Sequence, residues 1–315
     1  MATQYDSSTF RAPVRLPAMP DEDEAARSYP AIRLERSAVV DGRLEFDNPG
    51  GFEQALAHGF FLVRMEDDVD TSDGDSFASH FFERSAGDAL DTFRDFKDTD
   101  VPGEYQGYFD REHDQWENFY IERGNWQLLP KEVAGLGDKM ANLGIEILRS
   151  VLSRLNLPEK DWLEVTGGLT GHGGHQMLAF NHFRPEKEVR GSKFHRDSGW
   201  VTVLRSTAPG LLVWIDGELH SVNPEPGYFI VNFGSSIEVL TWQLPTPVRA
   251  NIHGVARTVR GDNREDRTSY VIFLDSRLDG SIYSYEDGAP RRLQSVAEFA
   301  EQEVNRTYNG EDIFL

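Results

Sequence analysis

A β-sandwich or barrel with helices packed around it is the fold class this sequence predicts. Three observations carry that expectation. Beyond residue 165, short β-rich runs alternate with turn signals. Ahead of it lie two helical stretches, one of them strongly periodic. No internal repeat or low-complexity linker separates the two parts. One compact unit is therefore expected, with residues 1–164 forming a helical and mixed region that packs on a mainly β core at 165–315.

In chain order, residues 1–30 are polar and carry Pro13, Pro17, Pro20 and the acids 21–24, which reads as an irregular arm. Residues 29–34 fit a short strand, and 51–58 a helix leading into a strand at 59–63. Residues 66–75 hold six acids and read as a solvated loop. Helices are expected at 77–92 and 131–155. In the second, Met140, Leu143, Ile147, Val151 and Leu155 recur at spacings of three and four, and Pro158 follows. Strands are expected at 176–183, 200–204, 211–215, 228–233, 248–255 and 268–274, with a last helix at 295–307. Asp216-Gly217 is a strong hairpin signal, and Pro226-Gly227 suits a type II turn.

Hydrophobic residues make up 39% of the 315, enough for a sizeable core. Acids outnumber Lys and Arg by 53 to 32, a net charge of −21. Such a field repels phosphate backbones and anionic headgroups, so neither nucleic acid nor a membrane surface is expected as partner. With no cysteine there is no disulfide, zinc–thiolate site or thiol nucleophile. Met1 opens onto a polar stretch, and no apolar run approaches ~18 residues, so a cytoplasmic location is the default. The oligomeric state is not legible.

The chemistry begins at His195 and Asp197. Positions i and i+2 of a strand share a side, so an imidazole and a carboxylate can meet one ion there. Two histidines and a carboxylate on one face of an octahedral ion leave positions open for substrates. A third ligand should be a later histidine. His220 follows the Asp-Gly turn, where a solvent-facing position is the simpler reading, and His253 lies in an alternating segment. Arg267 and Ser269 again stand at i and i+2, at the head of an apolar strand, and together would suit a carboxylate. His172 and His175 in a glycine-rich loop are a rival metal pair, but a flexible loop fixes no geometry.

Taken in this order, His195-x-Asp197, His253 and Arg267-x-Ser269 resemble the iron(II)/2-oxoglutarate-dependent dioxygenases, more narrowly the branch of isopenicillin N synthase, deacetoxycephalosporin C synthase and the plant 2-oxoglutarate oxygenases. The runs 210–222 and 224–235 resemble that family's hairpin and following strands. Residues 30–34 and 56–63, Gly107-Tyr108 and Trp116-Glu117-Asn118-Phe119 resemble its N-terminal half. The resemblance implies a double-stranded β-helix (jelly roll, cupin-like) core and three reagents: Fe(II), 2-oxoglutarate and O2. It implies His195, Asp197 and His253 as iron ligands, Arg267 and Ser269 at the distal carboxylate of 2-oxoglutarate, and Asn181 as a further cosubstrate contact. Phe183 departs from the pattern, standing where plant members have a cosubstrate-binding tyrosine. Asp197 in place of a small residue argues against halogenation.

The resemblance further implies hydroxylation, desaturation or oxidative cyclisation of a small molecule, as in antibiotic and other specialised metabolism, with release of succinate and CO2. Two alternatives stand beside it: an iron oxidase of the isopenicillin N synthase type that uses no 2-oxoglutarate, and a non-catalytic small-molecule-binding barrel. Candidate substrate contacts are Trp200 and Arg205 after the iron motif, Asn251 beside His253, and Tyr108, Trp116 and Tyr120 from the helical side.

Overall fold

The protein is described by a computed structural model over residues 29–259 and 266–308. Its first half holds β1 (Arg36–Val40), β2 (Arg43–Phe46), α1 (Gly51–His58), β3 (Phe60–Arg64), α2 (Ser72–His80), β4 (Gly107–Asp110), β5 (Trp116–Glu122), α3 (Lys131–Arg154) and α4 (Glu159–Val165). The second half holds β6 (His175–Phe183), β7 (Ser192–His195), β8 (Val201–Ser206), β9 (Leu211–Ile215), β10 (Glu218–Val222) and β11 (Tyr228–Phe233). These are followed by α5 (Ser235–Thr241), β12 (Ile252–Val255), β13 (Thr268–Asp275), β14 (Ser281–Glu286), β15 (Ala289–Ser295) and α6 (Val296–Tyr308).

Nine strands form one sheet in the order β2-β1-β3-β11-β8-β13-β6-β5-β4, and four form a second in the order β10-β9-β12-β7. Side chains alternate between the two faces of each strand, and this alternation decides the function of every residue below. On the inner face of the large sheet, Phe60, Leu62, Ala179, Leu204, Ile230 and Val271 meet Leu211, Val213, Ile215 and Val222 of the small sheet in one buried apolar cluster. The two sheets thus enclose an apolar filling, the sandwich that the strand pattern predicts in the jelly-roll form that the resemblance implies. On the outer face, Phe61, Phe119, Phe180, Val203, Phe229 and Ile272 pack with Phe77 of α2 and with Met140, Ile147 and Val151 of α3. Phe77 reaches Phe180 edge-on at 4.5 Å between ring centres. Burying a side chain of this size is worth about 1.5–3 kcal/mol, so the helical layer is held by apolar area.

Three Asp-Gly turns join antiparallel strands, Asp287-Gly288 between β14 and β15 and one at an edge of each of the two larger sheets. Asp216 and Gly217 take φ of 52° and 86°, and Asp41 and Gly42 take 50° and 72°. Both have the double positive φ of a type I′ turn.

The expected elements differ from the observed ones in three places. The strand at 29–34 reduces to a single bridge between Ala31 and Ser221. The helix expected at 77–92 is instead Ser72–His80, starting inside the acidic stretch and followed by a 3-10 turn at Ala89–Phe93. Asp73 and Asp75 favour its N-terminus. Beyond it, Asp91 takes the N–H groups of Ala86 and Gly87, and Asp88 that of Leu90, diverting the backbone from helix. The strand expected from 248 begins at Ile252. Val248, Arg249 and Ala250 donate instead to Thr241 Oγ1, the Leu56 carbonyl and Glu238 Oε2. The polar arm falls outside the described residues up to position 28.

Candidate metal and cosubstrate site

His195 ends β7 and lies directly opposite His253 on β12, so the ladder between the two strands brings the imidazoles together. Their ring centres are 4.5 Å apart. Asp197, two residues past His195, places Oδ1 3.5 Å from His195 Nε2 and 3.7 Å from His253 Nε2. One ligand atom from each of the three residues falls within 4.8 Å of the others, the only such cluster of potential metal ligands among the described residues. His195 Nδ1 donates to the Lys193 carbonyl at 2.9 Å, and His253 Nδ1 to the Asn251 carbonyl at 3.3 Å. With the proton on Nδ1, each Nε2 lone pair is left for a metal.

The opposite oxygen of Asp197, Oδ2, accepts from Thr202 Oγ1 and Asn232 Nδ2. Both donors stand on the inner face, from β8 and β11, and are Cα partners. Gly234 lets this loop close: a Cβ there would collide with the Gly199 carbonyl. Burial works against the Asp197 charge, but the His253 and His195 rings and the Thr202 hydroxyl hold it well below the usual carboxylate range. Burial pushes His253 down to about 4, with His195 beside it adding to the shift. Burial also opposes a charge on His195, but its contact with Asp197 outweighs this and leaves it raised. The edge of Phe60 covers His253 at 5.4 Å.

Arg267 enters the same inner face just ahead of β13 and is buried, with 3% of its surface exposed. Its Nε donates to the Pro209 carbonyl and its Nη2 to Ser206 Oγ, while its guanidinium lies 4.4 Å over the Phe183 ring. Nη1 is buried without a partner. A buried cation with one orphaned donor and no carboxylate partner among the described residues is costly unless an anion completes it. Burial pulls it down only to about 10, so it is charged at neutral pH. Ser269 Oγ accepts from Asn181 Nδ2 at 3.3 Å, which leaves the hydroxyl proton to donate elsewhere. The donor set therefore suits a divalent metal at the triad and a carboxylate at Arg267.

The comparisons with known proteins bear on this pair of sites. Residues 174–276 match the model of the 2OG-Fe(II) oxygenase superfamily, a span that contains the triad, Asn181, Arg267 and Ser269. The chain carries a 2OG-Fe(II) oxygenase domain. Domains of this kind are the catalytic unit of dioxygenases that use Fe(II), 2-oxoglutarate and O2. Among curated proteins the chain is 32% identical over 108 residues to Protein DOWNY MILDEW RESISTANCE 6 of Arabidopsis thaliana, covering 33% of this chain and 30% of that one. It is 32% identical over 125 residues to 2'-deoxymugineic-acid 2'-dioxygenase of Hordeum vulgare, covering 37% and 35%. The chain thus spans about a third of the length of the curated relatives it matches. Among solved structures, JOX2 in complex with 2OG, Fe and JA superposes with a TM-score of 0.66 at 20% identity, covering 95% of this chain and 92% of that one. A rice dioxygenase for auxin oxidation gives 0.60 at 18%, covering 86% and 94%. Both share the fold.

Within the oxygenase domain, several residues expected at the substrate lining lie elsewhere. Thr202, Leu204 and Ser206 face inward on β8, so Val203 and Arg205 face the helices. Arg205 is bound there through Nε and Nη2 to Asp75 of α2, at 3.2 and 2.9 Å. Trp200 is buried in the outer core and donates to Ser276 Oγ. Tyr108 points to the outer face and donates to Glu117 Oε2. Glu117 and Asp266 flank the buried His182 at 2.8 and 3.2 Å, and Phe82 stacks on that imidazole. The Asn251 amide is spent on His58 and Trp214, so Asn251 reaches the site only through its carbonyl on His253. Trp116 and Tyr120 do take the inner face, with Trp116 stacked on Phe183. His220 lies on β10, and His175 Nδ1 lies 3.1 Å from Glu122 Oε1.

Proposed function

We propose that this protein is an Fe(II)- and 2-oxoglutarate-dependent dioxygenase that hydroxylates, desaturates or cyclises a small specialised metabolite. The observation that carries the reading is the orphaned Nη1 of buried Arg267, on the large sheet's inner face, between the same two sheets as the His195–Asp197–His253 cluster. His195 Nε2, Asp197 Oδ1 and His253 Nε2 would hold the metal. Arg267 and Ser269 would hold the distal carboxylate of 2-oxoglutarate, and Asn181 would orient the Ser269 hydroxyl. Bound Fe(II) and 2-oxoglutarate supply the oxidising chemistry, in which O2 is consumed and succinate and CO2 are released.

The chain's own part is positional. Thr202 and Asn232 fix which Asp197 oxygen faces the metal position. The apolar filling of Leu204, Val213, Ile230 and Val271 keeps the floor dry. Phe183 lays an aromatic face under the Arg267 guanidinium where a tyrosine hydroxyl would otherwise contact the cosubstrate.

The test is succinate release from 2-oxoglutarate by the purified protein with Fe(II), compared with His195→Ala, Asp197→Ala and His253→Ala. Each variant should keep its circular dichroism spectrum and lose turnover, while His220→Ala keeps it. Metal binding without 2-oxoglutarate binding would favour the oxidase alternative, and binding of neither would favour an idle barrel.

A further inference from the structure

Arg111 lies in the turn between β4 and β5, against the inner face of the large sheet. Its Nε donates to Asn118 Oδ1 at 2.9 Å. Its guanidinium carbon sits 5.1 Å from the Phe109 ring centre and 5.7 Å from that of Tyr120, and the two rings meet edge-on at 5.7 Å. Both terminal nitrogens are left without a protein acceptor, and no carboxylate among the described residues pairs with it. Elsewhere Arg205 holds Asp75, Arg184 holds Asp110, and Arg94 holds Glu83, Asp88 and Asp91.

The residue that fixes Arg111 also connects it to the cosubstrate anchor. Asn118 Nδ2 donates to Asn181 Oδ1 at 2.5 Å, and Asn181 Nδ2 donates to Ser269 Oγ. The three lie side by side on β5, β6 and β13. A polar line thus crosses the inner face from Arg111 to Ser269, bordered by Trp116 and Tyr120. Resting on the oxygenase reading above, we infer that Arg111 binds the carboxylate of the primary substrate, a monocarboxylic acid whose apolar body lies along Phe109, Tyr120 and Trp116. A planar guanidinium with two free terminal nitrogens matches a carboxylate in bidentate fashion. The net charge of −21 disfavours a polyanion in the same place.

The experiment is calorimetric titration of the Mn(II)- and 2-oxoglutarate-loaded protein without O2. The probes are arylacetic, arylpropionic and medium-chain fatty acids, each beside its methyl ester. At least one acid should bind wild type tenfold or more tightly than its ester. Arg111→Gln should erase that preference, and Arg111→Lys should keep part of it, at unchanged thermal midpoints. Absence of any acid preference in wild type overturns the inference, as does a preference that survives in Arg111→Gln. A loss of 2-oxoglutarate affinity in Arg111→Gln in place of the acid preference also overturns it, assigning Arg111 to the cosubstrate. Wild type that prefers acids yet binds no 2-oxoglutarate upholds the inference and refutes the oxygenase reading.

Discussion

Thr202 and Asn232, paired across β8 and β11, donate to one and the same oxygen of Asp197, at 2.6 and 2.7 Å. The carboxylate is thereby held with its other oxygen toward the two imidazoles. Outer partners of this kind cost about 10–100-fold in metal affinity when removed. Thr202→Val and Asn232→Leu should each weaken Mn(II) binding on that scale, measured by anaerobic titration, with the fold retained. Equal affinity in both variants would show that the triad needs no brace.

Arg267→Ala should weaken 2-oxoglutarate far more than metal. A hydrogen bond to a charged group is worth about 1.5–3 kcal/mol, so a loss of roughly ten- to hundredfold is expected. Titration of 2-oxoglutarate at saturating Mn(II) reads it directly. Arg267→Lys should recover little, because an ammonium cannot reproduce the fork now spread over Pro209, Ser206 and the free Nη1.

The same arginine sets an alkaline limit. Burial lowers it to about 10, so the cation is complete at neutral pH and is lost only as pH rises through that value. An anion bound to it stabilises the charged form and moves the loss higher still. Affinity for 2-oxoglutarate should be level from about pH 6 to about pH 9 and then fall. A fall centred near neutral pH would point to a histidine as the anchor.

Arg205→Ala should act on stability and not on substrate choice. The Arg205–Asp75 pair ties β8 to α2 at a partly buried position, and burial, although it opposes the charge, leaves the guanidinium raised through Asp75. Breaking a charged hydrogen bond of this sort costs on the order of 1.5–3 kcal/mol. A lowered thermal midpoint with an unchanged acid-to-ester preference is the expected outcome.

The meeting of His195, Asp197 and His253 was legible because its spacing is local: His195 and Asp197 are two residues apart, and the alternation around His253 suits an inward strand. Which face Trp200 and Arg205 take was not legible, since both follow an irregular turn whose length sets the phase of β8. The ladders to β11 and β13 and the Thr202–Asp197 bond fix that phase, and they exist only in three dimensions. The Asp41-Gly42 turn carries the same signal as Asp216-Gly217 and closes β1 on β2, although the sequence reading placed no hairpin there. Arg111 and Asn118 were missed for a related reason. Their contact spans the β4–β5 turn, and residues 107–122 show no clean alternation with which to place them.

β6 serves a different purpose on each side. Ala179, Asn181 and Phe183 look into the space between the sheets, while Leu178, Phe180 and His182 look toward the helices, and both neighbouring strands are paired with it nearly end to end. A single inserted or deleted residue would exchange the two sets. It would press the Asn181 amide onto Phe77 and swing His182 away from Glu117 and Asp266 into the dry interior. Within β6, change is therefore confined to substitution, because any change of length would exchange its two faces.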